Sequence, residues 1–269
     1  RDRVYTFLDR ARYDAIVETA AEIDMDVIGH VPVALPLDHV LGDGQRLIAH
    51  SEEIIRHADG DFSQETVDRL ADTLAESDTW LVPTLVTSRT VIGLFDDLKG
   101  TLSRPEVRFF QHPIQQGAWS FMVENLYLPI PEEHRQAIRT GFEEFQRPFV
   151  GALRERGVRL LAGTDSGLPG LVAGFSLHRE LEELVSAGLT PYEALRTATT
   201  HPFEYLGESE EAGTVEVGKR ADLVLLDANP LQEIGNTRAI AGVVIGGRWI
   251  SRAEIEAGLT RIAGGSAAE

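Results

Sequence analysis

Val27-Ile28-Gly29-His30, Leu47-Ile48-Ala49-His50 and Leu160-Leu161-Ala162-Gly163-Thr164-Asp165 are built alike: each is a short apolar run that ends in a side chain able to bind a metal or move a proton. Helix-forming stretches alternate with these runs. Tyr13, Ile16, Val17 and Ala20 recur at helical spacing over about Asp9 to Ile23, before a strand from Met25 to Gly29. Ser63 opens a helix with Val67, Leu70 and Leu74 inward, and Trp80 to Val82 reads as a strand stopped by Pro83. A helix running to Arg156 is closed by Gly157, and Val158 to Ala162 reads as a buried strand. Helices follow over about Leu171 to Ala187 and Pro191 to Ala198, the second with proline in its first turn. Alternation of this kind predicts parallel βαβ units. The fold class is therefore α/β, with residues 1–208 reading as the strand–helix units of a (β/α) barrel.

After Gly207 the pattern turns to short β segments, at Gly213 to Val217, Ala221 to Leu226 and Ala241 to Ile250 around Gly246-Gly247. Residues 209–269 accordingly read as part of a small β-sandwich domain, ending in a frayed small-residue tail from Gly264 to Glu269. Residues from about Thr84 to Pro131 interrupt the alternation with Phe, Trp and Tyr among Pro and Gly. An insertion of that length in an α/β unit reads as a lid or binding loop.

Composition narrows the chemistry. The chain has 269 residues, 43% of them hydrophobic, enough for a sizeable core. Its net charge of −18 argues against nucleic acid as a partner, since phosphate binding needs clustered Lys and Arg. Lysine occurs only at Lys99 and Lys219. There is no cysteine, so thiolate nucleophiles and sulfur-ligated zinc are excluded and any metal must sit on His, Asp or Glu. No run of about 18 apolar residues marks a membrane span. The first thirty residues lack the order of a signal peptide, so a cytoplasmic location is the default, with the compartment left open because a leader could lie upstream.

Strand C-termini in a parallel barrel open on one face, so His30, His50 and Asp165 could converge on a divalent ion, for which zinc suits the ligand types. Each has a plainer reading. A histidine after a strand is more often a turn or core residue, and Asp in Gly163-Thr164-Asp165-Ser166-Gly167 is ordinary turn chemistry. The threefold recurrence of the pattern favours the site. His178, one turn into the helix after the Asp165 loop, is a candidate substrate-binding residue, with helix packing the equal alternative. His39, His57, His112, His134 and His201 read as structural or solvent-exposed, Glu52 and Glu53 as a solvated pair, and Lys219 and Arg220 as turn residues.

Gly29-His30-Val31-Pro32, Ile48-Ala49-His50-Ser51-Glu52-Glu53 and Leu161 to Gly167 resemble the fifth, sixth and eighth barrel strands of the amidohydrolase superfamily. The pattern is that of the imidazolonepropionase-like and prolidase-like branch, which implies that residues 1–208 are the later strands, about the fourth to the eighth, of a TIM-like (β/α) barrel. Leu177-His178-Arg179-Glu180-Leu181-Glu182, Gly188 to Leu195, and Gly213 through Leu231 resemble the same branch.

The resemblance implies a hydrolase of C–N bonds (amide, non-standard peptide or cyclic amide) with a small-molecule substrate. One or two divalent ions would be held by His30 and His50, and Asp165 would serve as ligand and as general base then acid. It also marks departures. None of the eight histidines stands two residues from another, although the family carries a His-x-His pair on its first strand. Arg3-Val4-Tyr5 falls where the family has Lys-Val-Tyr, and arginine can neither carry the bridging carbamate nor ligate a cation. The chain is thus expected to be an N-terminally incomplete hydrolase whose open sheet edges favour poor solubility or pairing with a second copy. A catalytically silent fragment, or a small-molecule binding module on the same fold, is the alternative.

Overall fold

The computed structural model describes residues 2–42, 44–109 and 113–264. His112 and the tail beyond Gly264 lie outside the described residues. The chain packs as two compact units, each discontinuous in sequence.

The first unit comprises residues 1–85, 137–163 and 186–189. Its centre is a four-stranded parallel sheet in the order β1 (Asp2–Val4), β2 (Val27–Gly29), β3 (Leu47–Ala49), β4 (Trp80–Val82). Val4 pairs with Gly29, Gly29 with Ile48, and Ala49 with Val82, so the strands end within one residue of level. Gly29 permits this register. At φ 127° it occupies backbone space closed to other residues, and a Cβ there would meet the Val4 carbonyl oxygen at 2.3 Å. The strand expected at Val158 to Ala162 shrinks to a single parallel bridge between Leu81 and Leu160. Leu81 N–H donates to Arg159 O and Leu161 N–H to Leu81 O, and the chain then leaves the extended region, reaching φ 46° at Asp165.

Helices follow each strand: α1 (Arg10–Glu22), α2 (Leu37–Gly42), α3 (Glu52–Ile55) and α4 (Gln64–Ala75). Asp9 caps α1 by accepting from Arg12 N–H at 2.9 Å, and Ser63 caps α4 by accepting from Thr66 N–H. The apolar face of α4 (Val67, Leu70, Ala71, Leu74) is buried and packs on the later helix of this unit. That helix buries Phe149, Val150 and Leu153, and Arg156 at its end reaches Asp68 at 2.8 Å and Asp72 at 2.5 Å. Fully buried Phe142, Phe145 and Phe149 each contribute about 2–3 kcal/mol of transfer free energy.

The second unit comprises residues 86–136, 164–185 and 190–269. The segment read as a lid or loop proves helical: α5 (Leu85–Asp96), α6 (Leu98–Leu102), α7 (Pro113–Met122) and α8 (Glu132–Thr140), the last continuing through a π-helical stretch, Gly141–Gln146, into α9 (Arg147–Glu155) of the first unit. Its Pro and Gly punctuate helices rather than prevent them. Then come α10 (Phe175–Ser186), α11 (Pro191–Ala198) and α12 (Thr200–Leu206). α10 starts four residues later than expected because Gly174, at φ 79°, holds the preceding turn. β5 (Leu223–Leu226), β6 (Ile240–Ile245) and β7 (Arg248–Ser251) form an antiparallel sheet in that order. Gly213 to Val217 is not a strand, and Val215 and Val217 are exposed. The tail is not purely β either: α13 (Arg252–Ala263) follows, started by a Ser251 and Glu254 capping box visible in the sequence as Ser-x-x-Glu.

Candidate metal centre

Strand ends this close to level place His30 directly after β2 and His50 directly after β3. Both are buried, 8% and 6% exposed, with ring centroids 4.9 Å apart and planes at 65°. Each ring is fixed through Nδ1. His30 Nδ1 lies 2.8 Å from Glu53 Oε1 and 2.9 Å from Thr6 Oγ1, and Tyr5 covers the ring with centroids 4.4 Å apart. His50 Nδ1 lies 2.8 Å from Thr84 Oγ1. With Nδ1 engaged, Nε2 is the nitrogen suited to ligate, an arrangement that outer partners of metal-binding histidines commonly impose.

Glu53 is not the solvated residue expected. It is 2% exposed, and its second oxygen meets Arg56 Nη1 at 2.5 Å. Burial pushes its carboxyl up, but the hydrogen bond and charge of His30 with those of Arg56 outweigh that and hold it below the usual carboxylate range. The missed signal was spacing: Glu53 stands three residues after His50, on the helix that begins as β3 ends. Thr84 was missed too. It holds φ 50°, a strained value for a β-branched residue, while its hydroxyl meets His50. Ser51, behind His50, lies 3.1 Å from both Pro83 O and Gln146 Oε1, the latter presented by the π-helical stretch.

Two imidazoles with anchored Nδ1 atoms fit a divalent ion as part of its ligand set. Among the described residues no group of three or more His, Asp or Glu side chains is arranged to hold one. Arg3 Nη2 stands 3.5 Å from His30 Nε2.

Asp165 belongs to the second unit, in an exposed turn at φ 46°. Its loop is held by side chains on backbone carbonyls: Thr87 Oγ1 donates to Thr164 O at 3.1 Å, and Trp119 Nε1 donates to Gly167 O at 2.7 Å. Thr164 Oγ1 and Ser166 Oγ are 2.7 Å apart. His178, on α10, has Nδ1 3.0 Å from Thr237 Oγ1, a helix-packing contact. His39 is tied to Asp14 at 2.8 Å, His57 is half-buried and His134 is exposed.

The amidohydrolase family profile matches residues 10–250, and the chain belongs to that family. Within it the likeness runs to imidazolonepropionase-like and prolidase-like members. An imidazolonepropionase of Sphingopyxis alaskensis (strain DSM 13593 / LMG 18877 / RB2256) is 39% identical over 92 residues, 34% of this chain and 23% of that protein. A 5'-deoxyadenosine deaminase of Methanobrevibacter smithii is 37% identical over 70 residues, 26% of this chain and 16% of that protein. Among solved structures, a bottromycin amidohydrolase superposes with a TM-score of 0.70 at 29% identity, covering 97% of this chain and 57% of that one. A Xaa-Pro dipeptidase shares the fold at 20% identity, with a TM-score of 0.58 over 88% of this chain and 48% of that one. These matches span less than two thirds of each relative's length. Among the described residues no helix is long and apolar enough to cross a membrane.

Proposed function

We propose that the chain is the later part of a metal-dependent hydrolase that cleaves C–N bonds (amide, non-standard peptide or cyclic amide) in small molecules. The observation that carries this reading is the buried pair His30 and His50 at adjacent strand ends, each Nδ1 anchored and the rings 4.9 Å apart. In it, residues 1–208 form an arc of a (β/α) barrel and 209–269 part of a β-sandwich domain. The chain's partners in this reading are a small-molecule substrate and a second copy of the chain, not nucleic acid or membrane.

His30 and His50 would hold a divalent ion, zinc by ligand type, through Nε2. Such an ion polarises the scissile carbonyl and acidifies water. Glu53 and Thr84 hold the two rings in register. Asp165, assigned by its motif alone, would accept the proton as water adds to the carbonyl carbon and would return it to the leaving nitrogen as the C–N bond breaks. The bond of His178 to Thr237 favours its packing reading over the substrate-binding one.

One observation favours a second reading, ligand binding without turnover: Arg3 sets a permanent cation 3.5 Å from His30 Nε2. Zinc content and amide hydrolysis, measured with and without dipicolinate and in His30→Ala and His50→Ala, separate the two. The hydrolase reading expects zinc bound, activity lost on chelation and regained with zinc, and both lost in either variant. Absence of zinc uptake by the wild type at micromolar free metal would sink it.

A further inference from the structure

β2 and β3, the strands that end in His30 and His50, stop pairing with each other at Gly29 and Ile48, and His50 N–H turns instead to Val82 O of β4 at 2.8 Å. The carbonyls at that end of β2 are met by a side chain, that of Gln45, which is 0% exposed. Its Nε2 lies 3.1 Å from Gly29 O, 3.2 Å from His30 O and 3.2 Å from Leu47 O, and its Oε1 accepts from the Tyr13 hydroxyl at 3.2 Å. We infer that Gln45 is a positioning residue for the candidate metal centre: its amide holds the backbone of His30 and so sets where His30 Nε2 stands relative to His50. The inference rests on the metal-dependent reading of His30 and His50 and adds a residue on which their geometry depends.

Chemistry fixes which way the amide points. Three carbonyl oxygens surround Nε2, so only the nitrogen suits that end; an oxygen there would face three acceptors with no proton between them. The backbone that carries the amide is fixed as well, since Gln45 N–H donates to Val40 O at 3.4 Å and Thr79 Oγ1 donates to Gln45 O at 2.8 Å. A buried carbonyl deprived of its donor is costly. A hydrocarbon side chain in place of Gln45 would therefore press the turn that carries His30 to move until Gly29 O and His30 O found other donors. The ring of His30 is held separately, at Nδ1 by Glu53 and Thr6. One set of bonds turns the imidazole, and the other places the residue from which it hangs. Zinc–nitrogen bonds of about 2.0–2.1 Å leave little room for error in that placement, because two Nε2 atoms must reach one ion at once.

Gln45→Met keeps the shape of the side chain and removes the donors, whereas Tyr13→Phe removes only the hydroxyl behind them. Both positions are fully buried and both variants should lower the urea midpoint, so stability alone does not separate positioning from packing. Two further measurements do: the ring resonances of His30 and His50 in the zinc-free chain, followed by NMR, and zinc affinity, by competition with a chelating dye. In Gln45→Met the His30 ring resonances are expected to shift or broaden and zinc affinity to fall about 10–100-fold, the scale for outer partners of metal ligands. Tyr13→Phe should leave the His30 resonances in place and bind zinc as the wild type does. Gln45→Asn, which draws the amide back by one methylene, is read in the same way if Gln45→Met does not fold. His30 resonances unmoved in Gln45→Met, or zinc affinity lowered equally in Gln45→Met and Tyr13→Phe, would overturn the assignment. A wild type that takes up no zinc removes the metal-dependent reading, and the ring resonances then decide by themselves whether Gln45 places His30.

Discussion

The histidine pocket of the first unit and the Asp165 loop of the second are held in different ways. His30 and His50 are buried, and each is fixed by another side chain acting on its ring. Asp165 is exposed, and what is fixed is its backbone, by Thr87 and Trp119 on neighbouring carbonyls. A buried polar group that loses its partner bears the full desolvation cost, whereas an exposed loop that loses a clamp exchanges it for water. Damage to the first region should therefore appear as lost stability and metal affinity, and damage to the second as lost rate.

Gly29→Ala is the largest test on the histidine side. Its Cβ would press on the Val4 carbonyl at 2.3 Å, a backbone atom that cannot rotate away, at a φ of 127°. Urea denaturation should show a loss of about 3 kcal/mol, since β1 must separate from β2. A loss below about 0.5 kcal/mol, the scale of an ordinary surface change, would mean that strand register does not place His30.

Glu53→Ala comes next, removing the partner of His30 Nδ1 and of Arg56 from a site 2% exposed. A loss of about 2–3 kcal/mol is expected because Arg56 can turn to solvent, with zinc affinity falling about 10–100-fold. Glu53→Gln keeps a hydrogen-bonding partner and should recover most of the stability. If both variants bind zinc as the wild type does, the carboxylate does not orient the ligand.

On the loop side, Trp119→Phe keeps most of the ring and removes the donor to Gly167 O, and Thr87→Val removes the donor to Thr164 O. Each should cost about 1 kcal/mol of stability. Amide hydrolysis should show kcat reduced with KM and zinc content little changed. Zinc lost from either variant would break the contrast between the two regions.

The same contrast explains what could be read from sequence. Strands ending in His30 and His50, the α4 cap at Ser63 and the proline in the first turn of α11 are local signals, and each element stands where it was expected. Glu53 was misread because its partner His30 arrives from the end of β2, which no local pattern encodes. The helices of the insertion were not legible for a related reason. Trp119 and Arg104 anchor to Gly167 O and Gly170 O, contacts of long sequence range that allow a Pro- and Gly-punctuated segment to settle as helices. Val158 to Ala162 had the apolar content of a strand, but pairing is a property of the neighbour, and what forms is an isolated bridge with Leu81.

The smallest effect is one of pH, and it falls on the second unit. Burial lowers the pKa of His178, with Arg238 adding to the depression and Glu182 opposing it, so the folded chain binds this proton less readily than the unfolded chain. Between the lowered folded value and the unfolded one, about 6.5, the unfolded state carries more protons and stability rises with pH. The contribution is present above that unfolded value and lost as pH falls through the folded one. Urea midpoints of the wild type should drop between pH 7.5 and 5.5, and His178→Gln, which can still bond Thr237, should flatten part of that slope. His57 in the first unit is also held low by burial and accounts for a remainder. Because His178 answers to helix packing in this argument, its substitution should leave zinc binding untouched. A variant whose pH slope is unchanged while its KM for amides rises would move His178 from the packing of α10 to the substrate.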